Sequence, residues 1–232
     1  MLIKSRSAVP YVGVVSGHGL DTPGKRTPDN FKEAIYNTAV KNYYIVGCKR
    51  CNIKVLDGNP EDNDVSLSTR CNRLNKAGVD FALFIHYNAY LDDWNEANGI
   101  EVLYYSATGK KCAEVVLAEL IKGTKQSNRG VKERKDLYVL KNTNMPACLG
   151  EGGFMTNEIE ATLMKQPEFQ IETAEEYVNA TCKIFGVEYV PITAINYKDL
   201  YQKKLTEYKT LKSKYGGLSS DMMSLLKKYG AL

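Results

Sequence analysis

The chain has 232 residues, 44% hydrophobic and 25% charged, enough for one domain with a full core plus a small appendage. No window approaches the ~18 uninterrupted apolar residues of a membrane helix, so neither a membrane partner nor, from the charge placement, a nucleic-acid partner is expected. The net charge of +4 is uneven: from Pro191 onward eight Lys stand against Asp199, Glu207 and Asp221, a net of +5, leaving the first 190 residues near −1.

Along the chain, the apolar run at the N-terminus is broken by Pro10 and Gly13, and no signal peptide is read there. Residues 11–16 form a β-branched strand ending at Gly17. Residues 30–47 read as a helix, with Asp29 or Asn30 as N-cap and Gly47 past its end. Residues 53–56 make a short strand followed by the turn Asp57-Gly58-Asn59-Pro60. Leu67, Cys71, Leu74 and Ala77 recur at helical spacing over 64–77, and Gly78 stops that helix. The continuous apolar run 79–86 fits a strand buried on both faces. A strand over 100–105 and a helix over 110–121 follow. Strands are then expected at 137–140 and 147–151, and helices at 157–165 and 168–185. This alternation predicts an α/β layer fold.

Pro191 marks a break, which divides the chain into a domain of residues 1–190 and a tail of residues 191–232. In the tail, Tyr201, Leu205, Tyr208, Leu211 and Tyr215 line one amphipathic helix, and Met222, Leu225, Leu226 and Tyr229 a second. The six cysteines are scattered, and Cys48-Lys-Arg-Cys51 lacks the second CxxC or spaced His that a structural zinc site requires. Buried, reduced thiols are the reading.

The sequence contains two histidines, and each follows an expected central strand: His18 after YVGVVSG and His86 after FALFI. In open α/β sheets that edge is where ligands bind, and imidazole is the commonest metal ligand. Catalytic zinc takes three protein ligands, so a third must come from elsewhere. Glu33, in the first turn of the next helix, is a candidate, but its spacing fits equally well a carboxylate placed against a helix dipole. Glu151 ends an apolar strand between Gly150 and Gly152-Gly153. A carboxylate there needs a reason, and a general base beside an activated water is one.

Gly19-Leu-Asp-Thr-Pro-Gly24-Lys25-Arg26 nearly matches a phosphate-cradling loop. Arg26 stands where the magnesium-ligating hydroxyl belongs, and Pro23 removes a backbone donor, so nucleotide hydrolysis is set aside.

In order, SGHG with Asp21 and Gly24, Glu33 with Asn37, FIHYNA, GIEVLYY, RGVKERKDLYVLKNTNMPA and EGGFMTN resemble the zinc amidases that cleave between N-acetylmuramic acid and L-alanine, of the Amidase_3 type. The resemblance covers roughly residues 10–187. It implies a three-layer α/β fold with a mixed sheet of about six strands flanked by helices, and one Zn2+ per chain on His18, Glu33 and His86. It also implies Glu151 as the catalytic glutamate and bacterial peptidoglycan as substrate. Phe84 replaces the usual small polar residue in its motif, suggesting an apolar wall. Gly152 replaces a more common apolar residue, suggesting a looser base. The loop at 22–28 and the scale of the domain look like a phage endolysin or prophage amidase, made in the host cytoplasm and acting on the wall after release.

Asn88 is a candidate to orient His86, while Arg129 and Lys132, with Arg134 and Lys135, are candidates to meet the carboxylates of the peptide. The tail is open to three readings: binding of anionic wall polymers, homo-oligomerisation through its apolar stripe, or packing on the catalytic domain. A non-catalytic wall-binding protein and a zinc carboxypeptidase on the stem peptide are the alternatives in function.

Overall fold

The structure is a computed structural model that describes residues 1–124 and 126–192. The two tail helices expected beyond Pro191 lie outside the described residues. Six strands, β1 (Tyr11–Ser16), β2 (Lys54–Asp57), β3 (Phe81–Asn88), β4 (Ile100–Tyr104), β5 (Asn128–Glu133) and β6 (Ala147–Phe154), form a sheet in the order β2-β1-β3-β6-β4-β5. The first four in that order run parallel; β4 is antiparallel to β6, and β5 is parallel to β4. The expected mixed six-stranded sheet between helices is present.

Strand periodicity sorts the side chains into two cores. Val12 and Val14 of β1, and Phe81, Leu83, Ile85 and Tyr87 of β3, enter the larger one. There they meet α1 (Glu33–Arg50), α3 (Ala107–Gly123) and α6 (Pro167–Phe185). Val15, Ala82, Phe84 and Leu149 point the other way, toward α2 (Leu67–Ala77) and α4 (Tyr138–Lys141). α5 (Glu158–Met164) connects β6 to α6. On α1 the buried stripe Tyr36, Val40, Tyr44 and Cys48 repeats every fourth residue, which lays the helix along the sheet.

Two expected elements are corrected. Residues 137–140, expected as a strand, form the short helix α4 instead, with Val139 and Leu140 buried in the smaller core. A four-residue apolar run has no period to separate the two states. The sixth strand is β5, whose sequence NRGVKE shows no apolar alternation because it lies at the sheet edge, where charged side chains discourage further pairing. Helix α1 also starts later than expected. Asp29 and Asn30 belong to a turn in which the Phe31 amide donates to Thr27 Oγ1 (2.9 Å), and Glu33 is the first helical residue. All six cysteines are free and buried, with burial pushing the Cys48 thiol well above its ordinary value.

Candidate active site

The carboxyl edge of the parallel strands gathers the site. His18 lies two residues beyond β1 with φ 61°, in the left-handed region, a strained conformation for a residue with a Cβ. His86 lies within β3 on the face that carries Ala82 and Phe84. Glu33 reaches both imidazoles: Oε2 is 3.3 Å from His18 Nε2, and Oε1 is 3.2 Å from His86 Nδ1. The imidazole rings stand nearly perpendicular, 5.1 Å apart at their centroids.

Glu33 is 2% exposed and would be costly there without partners. Asn37, one turn along α1, donates to Oε1 (2.9 Å) and also to the Gly17 carbonyl (3.1 Å), while the Tyr87 amide donates to Oε1 (3.0 Å). Burial alone would raise the Glu33 pKa, but the hydrogen bond and charge of His86, with His18 and Asn37, bring it down to about 2. Burial pushes His18 down to about 4 against the opposing charge of Glu33, which keeps its imidazole neutral at pH 7. Burial also works to lower His86, but the hydrogen bond and charge of Glu33 raise it above its usual value.

The geometry passes a test for a cation. One donor atom from each of His18, Glu33 and His86 lies within 4.8 Å of the others. Ligands bound at about 2.0–2.1 Å in a tetrahedral site lie about 3.3–3.4 Å apart, close to the 3.3 and 3.2 Å that separate Glu33 from the two imidazoles, and two imidazoles with one carboxylate suit zinc. Gly17 makes room: a Cβ there would come 2.3 Å from His86 Cε1.

Glu151 completes the group. It is paired in register with His86 across β3 and β6, and with Glu101 across β4. The strand does not stop at Glu151 as expected but continues to Phe154. The Glu151 Oε2 atom is enclosed and has no hydrogen-bond partner among the described residues. Burial, with the charges of Glu33 and Glu101, raises its pKa to about 7 against the opposing effects of His86 and Lys25. Gly152 does not loosen this strand. A Cβ at that position would lie 2.5 Å from the Tyr36 hydroxyl, so the glycine lets α1 pack close behind Glu151.

The remaining expected residues are engaged elsewhere. Asn88 donates to Glu101 Oε1 (3.2 Å) rather than to His86. Arg129 Nε (2.9 Å) and Lys132 Nζ (2.5 Å) both donate to Glu101 Oε2, so these two cations share one carboxylate. Arg134 pairs with Asp136, and Lys135 with Glu133. Two features of the site emerge only in three dimensions: the role of Glu101 and the hold of Asn37 on Glu33. The helical spacing of Glu33 and Asn37 is the one sequence signal that hints at the second. A cavity of about 300 Å³ opens beside the imidazoles, walled by Phe84, Leu149, Tyr138 and Val139, which gives Phe84 the apolar wall expected of it.

The family described as N-acetylmuramoyl-L-alanine amidase, Amidase_3, matches residues 12–183. The chain is 28% identical to the N-acetylmuramoyl-L-alanine amidase CwlM of Bacillus licheniformis, over 84% of this chain and 74% of that protein. It is 28% identical to the endolysin of Bacillus phage SPP1, over 75% of this chain and 65% of that protein. Among solved structures, the N-acetylmuramoyl-L-alanine amidase from Clostridium difficile 630 superposes with a TM-score of 0.71 at 27% identity, covering 76% of this chain and 97% of that one.

Proposed function

Because the chain belongs to the Amidase_3 family of N-acetylmuramoyl-L-alanine amidases, we propose that it hydrolyses the amide between N-acetylmuramic acid and L-alanine of peptidoglycan using zinc held by His18, Glu33 and His86, with Glu151 as general base. The observation that supports this most is the convergence of those three donors, within 4.8 Å of one another, beside an enclosed carboxylate with an unpartnered oxygen. Zinc supplies Lewis acidity, making water nucleophilic near neutral pH and polarising a carbonyl.

The residues of the chain do the rest. Asn37 and the Tyr87 amide fix Glu33, which leaves both of its oxygens directed at the imidazoles. Glu151 takes a proton from the attacking water as the bond to the carbonyl carbon forms. It returns that proton to the leaving nitrogen of L-alanine as the C–N bond breaks. A proton affinity near 7 suits a group that must both accept and release. Similarity to the endolysin of phage SPP1 supports a phage or prophage lytic role. The net +5 of residues 191–232 supports contact with anionic wall polymers.

The test is to incubate purified wall with the protein, with and without a chelator. New L-alanine amino ends should appear, vanish with the chelator and return with zinc. No new ends under any metal condition would overturn the reading, and release of a terminal amino acid would point to a carboxypeptidase instead.

A further inference from the structure

The proposed chemistry leaves two cations of the site unused. The loop between β1 and α1 is held by its backbone: the Leu20 amide donates to Asp62 O (2.8 Å), the Asp64 amide to Asp21 Oδ1 (2.6 Å), and Lys32 Nζ to Leu20 O (2.8 Å). Arg26 and Lys32 form an antiparallel bridge, and the amide of Glu33 donates to the Lys25 carbonyl (3.0 Å). Lys25 is thus attached through its backbone to a residue of the proposed zinc set. Its side chain and that of Arg26 are exposed and, among the described residues, have no hydrogen-bond or ion-pair partner.

Other cations near the site are committed: Arg129 and Lys132 to Glu101, and Arg70 to Asp64. A loop whose backbone is held in this way and which displays two unpaired cations is partly preorganised for an anion, because only the side chains have to be ordered on binding.

A polar cavity of about 370 Å³ lies where these cations are displayed. Its walls include Lys25 and Arg26 from the loop after β1, Ala89 after β3, and Met155 and Thr156 after β6. Those are the strands that lead to His18, His86 and Glu151. Asp92 is the one carboxylate lining it, so the cations prevail. The loop that nearly matches a phosphate cradle therefore has the charge for an anion but not the backbone donors for a polyphosphate.

We propose that Lys25, supported by Arg26, binds a carboxylate of the stem peptide close to the scissile amide, so that the protein prefers peptides in which the second residue carries a free α-carboxylate over those in which it is amidated. This rests on the amidase reading for the identity of the peptide. The carboxylate exchanges water for two charge-assisted hydrogen bonds, whereas the amide offers no net charge and brings its own donors against a cation.

The test separates binding from turnover. Zinc-loaded protein carrying Glu151→Gln is titrated calorimetrically with two disaccharide tetrapeptides, one with D-glutamate and one with D-isoglutamine at the second position. The free carboxylate should bind roughly tenfold more tightly. Adding Lys25→Met should bring the ratio to within about twofold, and Lys25→Arg should preserve most of it. Equal affinities with Lys25 in place, or an undiminished ratio after Lys25→Met together with Arg26→Gln, would overturn the proposal. Turnover of the same compounds by the unaltered protein reads the amidase proposal separately. Discrimination in binding without cleavage would remove that activity and leave the carboxylate site standing.

Discussion

His86 and Glu151 are register partners across β3 and β6, so a proposed zinc ligand and the proposed base are fixed to one another by the parallel ladder of the sheet. Glu101, on the antiparallel strand β4, pairs with Glu151 from the other side and carries Arg129 and Lys132 with it. The proposed base is therefore held by the most buried part of the fold, while the cations that reach it through Glu101 come from the edge strand.

This arrangement makes a first prediction. Glu151→Gln keeps the shape of the side chain and removes the proton acceptor. The turnover number should fall by roughly 10²–10⁴-fold. Bound zinc should stay at one per chain, because Glu151 is outside the donor set. Parallel assays of activity and metal content check this. A variant that retains more than a tenth of the activity would take the role of base away from Glu151.

Asn37 gives a second. It holds Glu33 Oε1 and the Gly17 carbonyl together, linking the helix that supplies one proposed ligand to the loop that supplies another. Asn37→Ala should weaken zinc binding by about 10–100-fold, as loss of a ligand's supporting hydrogen bond typically does. Activity should recover in part when zinc is added in excess. Competition against a chelator of known affinity measures the first effect, and equal affinities in the two proteins would contradict the role.

Much of this site is legible in the sequence, and the parts that are not share a cause. His18 and His86 can be placed because apolar strands announce themselves and the sheet edge follows from them. Glu33 cannot be chosen on spacing, since its place depends on where α1 begins. That start is set by the Thr27–Phe31 turn and the Arg26–Lys32 bridge, not by a capping side chain of its own. Glu101 is invisible for a longer-range reason: its meaning comes from pairing with a strand about 50 residues away. β5 escapes detection because an edge strand need not look apolar, and α4 resembles a strand because four residues have no period.

Gly17 makes the third prediction. A methyl group added at this position would meet His86 Cε1 at 2.3 Å, so the imidazole must move or the β1 loop must open. Gly17→Ala should lower zinc affinity at least tenfold, since a donor displaced by a few tenths of an ångström no longer fits a tetrahedral ion. The sheet should remain intact, because Gly17 lies just outside β1. Unaltered far-ultraviolet circular dichroism with reduced metal content is the expected pair of results; full metal content would show that the loop yields freely.

The last prediction concerns stability and lies away from the site. Glu176, on α6, accepts the Gly123 amide at Oε1 (2.9 Å), while its Oε2 is enclosed without a partner among the described residues. Burial raises its pKa from the ordinary 4.5 to about 8; the Gly123 hydrogen bond and Lys122 oppose this, and the charges of Glu172 and Glu119 reinforce it. A carboxyl whose folded value exceeds its unfolded value binds more protons in the folded state between the two, so stability falls as pH rises from about 4.5 through about 8. Below that window both states are protonated and nothing is lost. Above it the folded protein carries a poorly solvated charge, at a cost of roughly 2–4 kcal/mol. Glu176→Gln removes the titration while keeping an acceptor for the Gly123 amide. Its melting temperature should match that of the parent at pH 4 and exceed it by roughly 5 °C or more at pH 8.5. Thermal melts across this range decide it: a difference that does not grow with pH would mean that Glu176 titrates alike in the folded and unfolded protein.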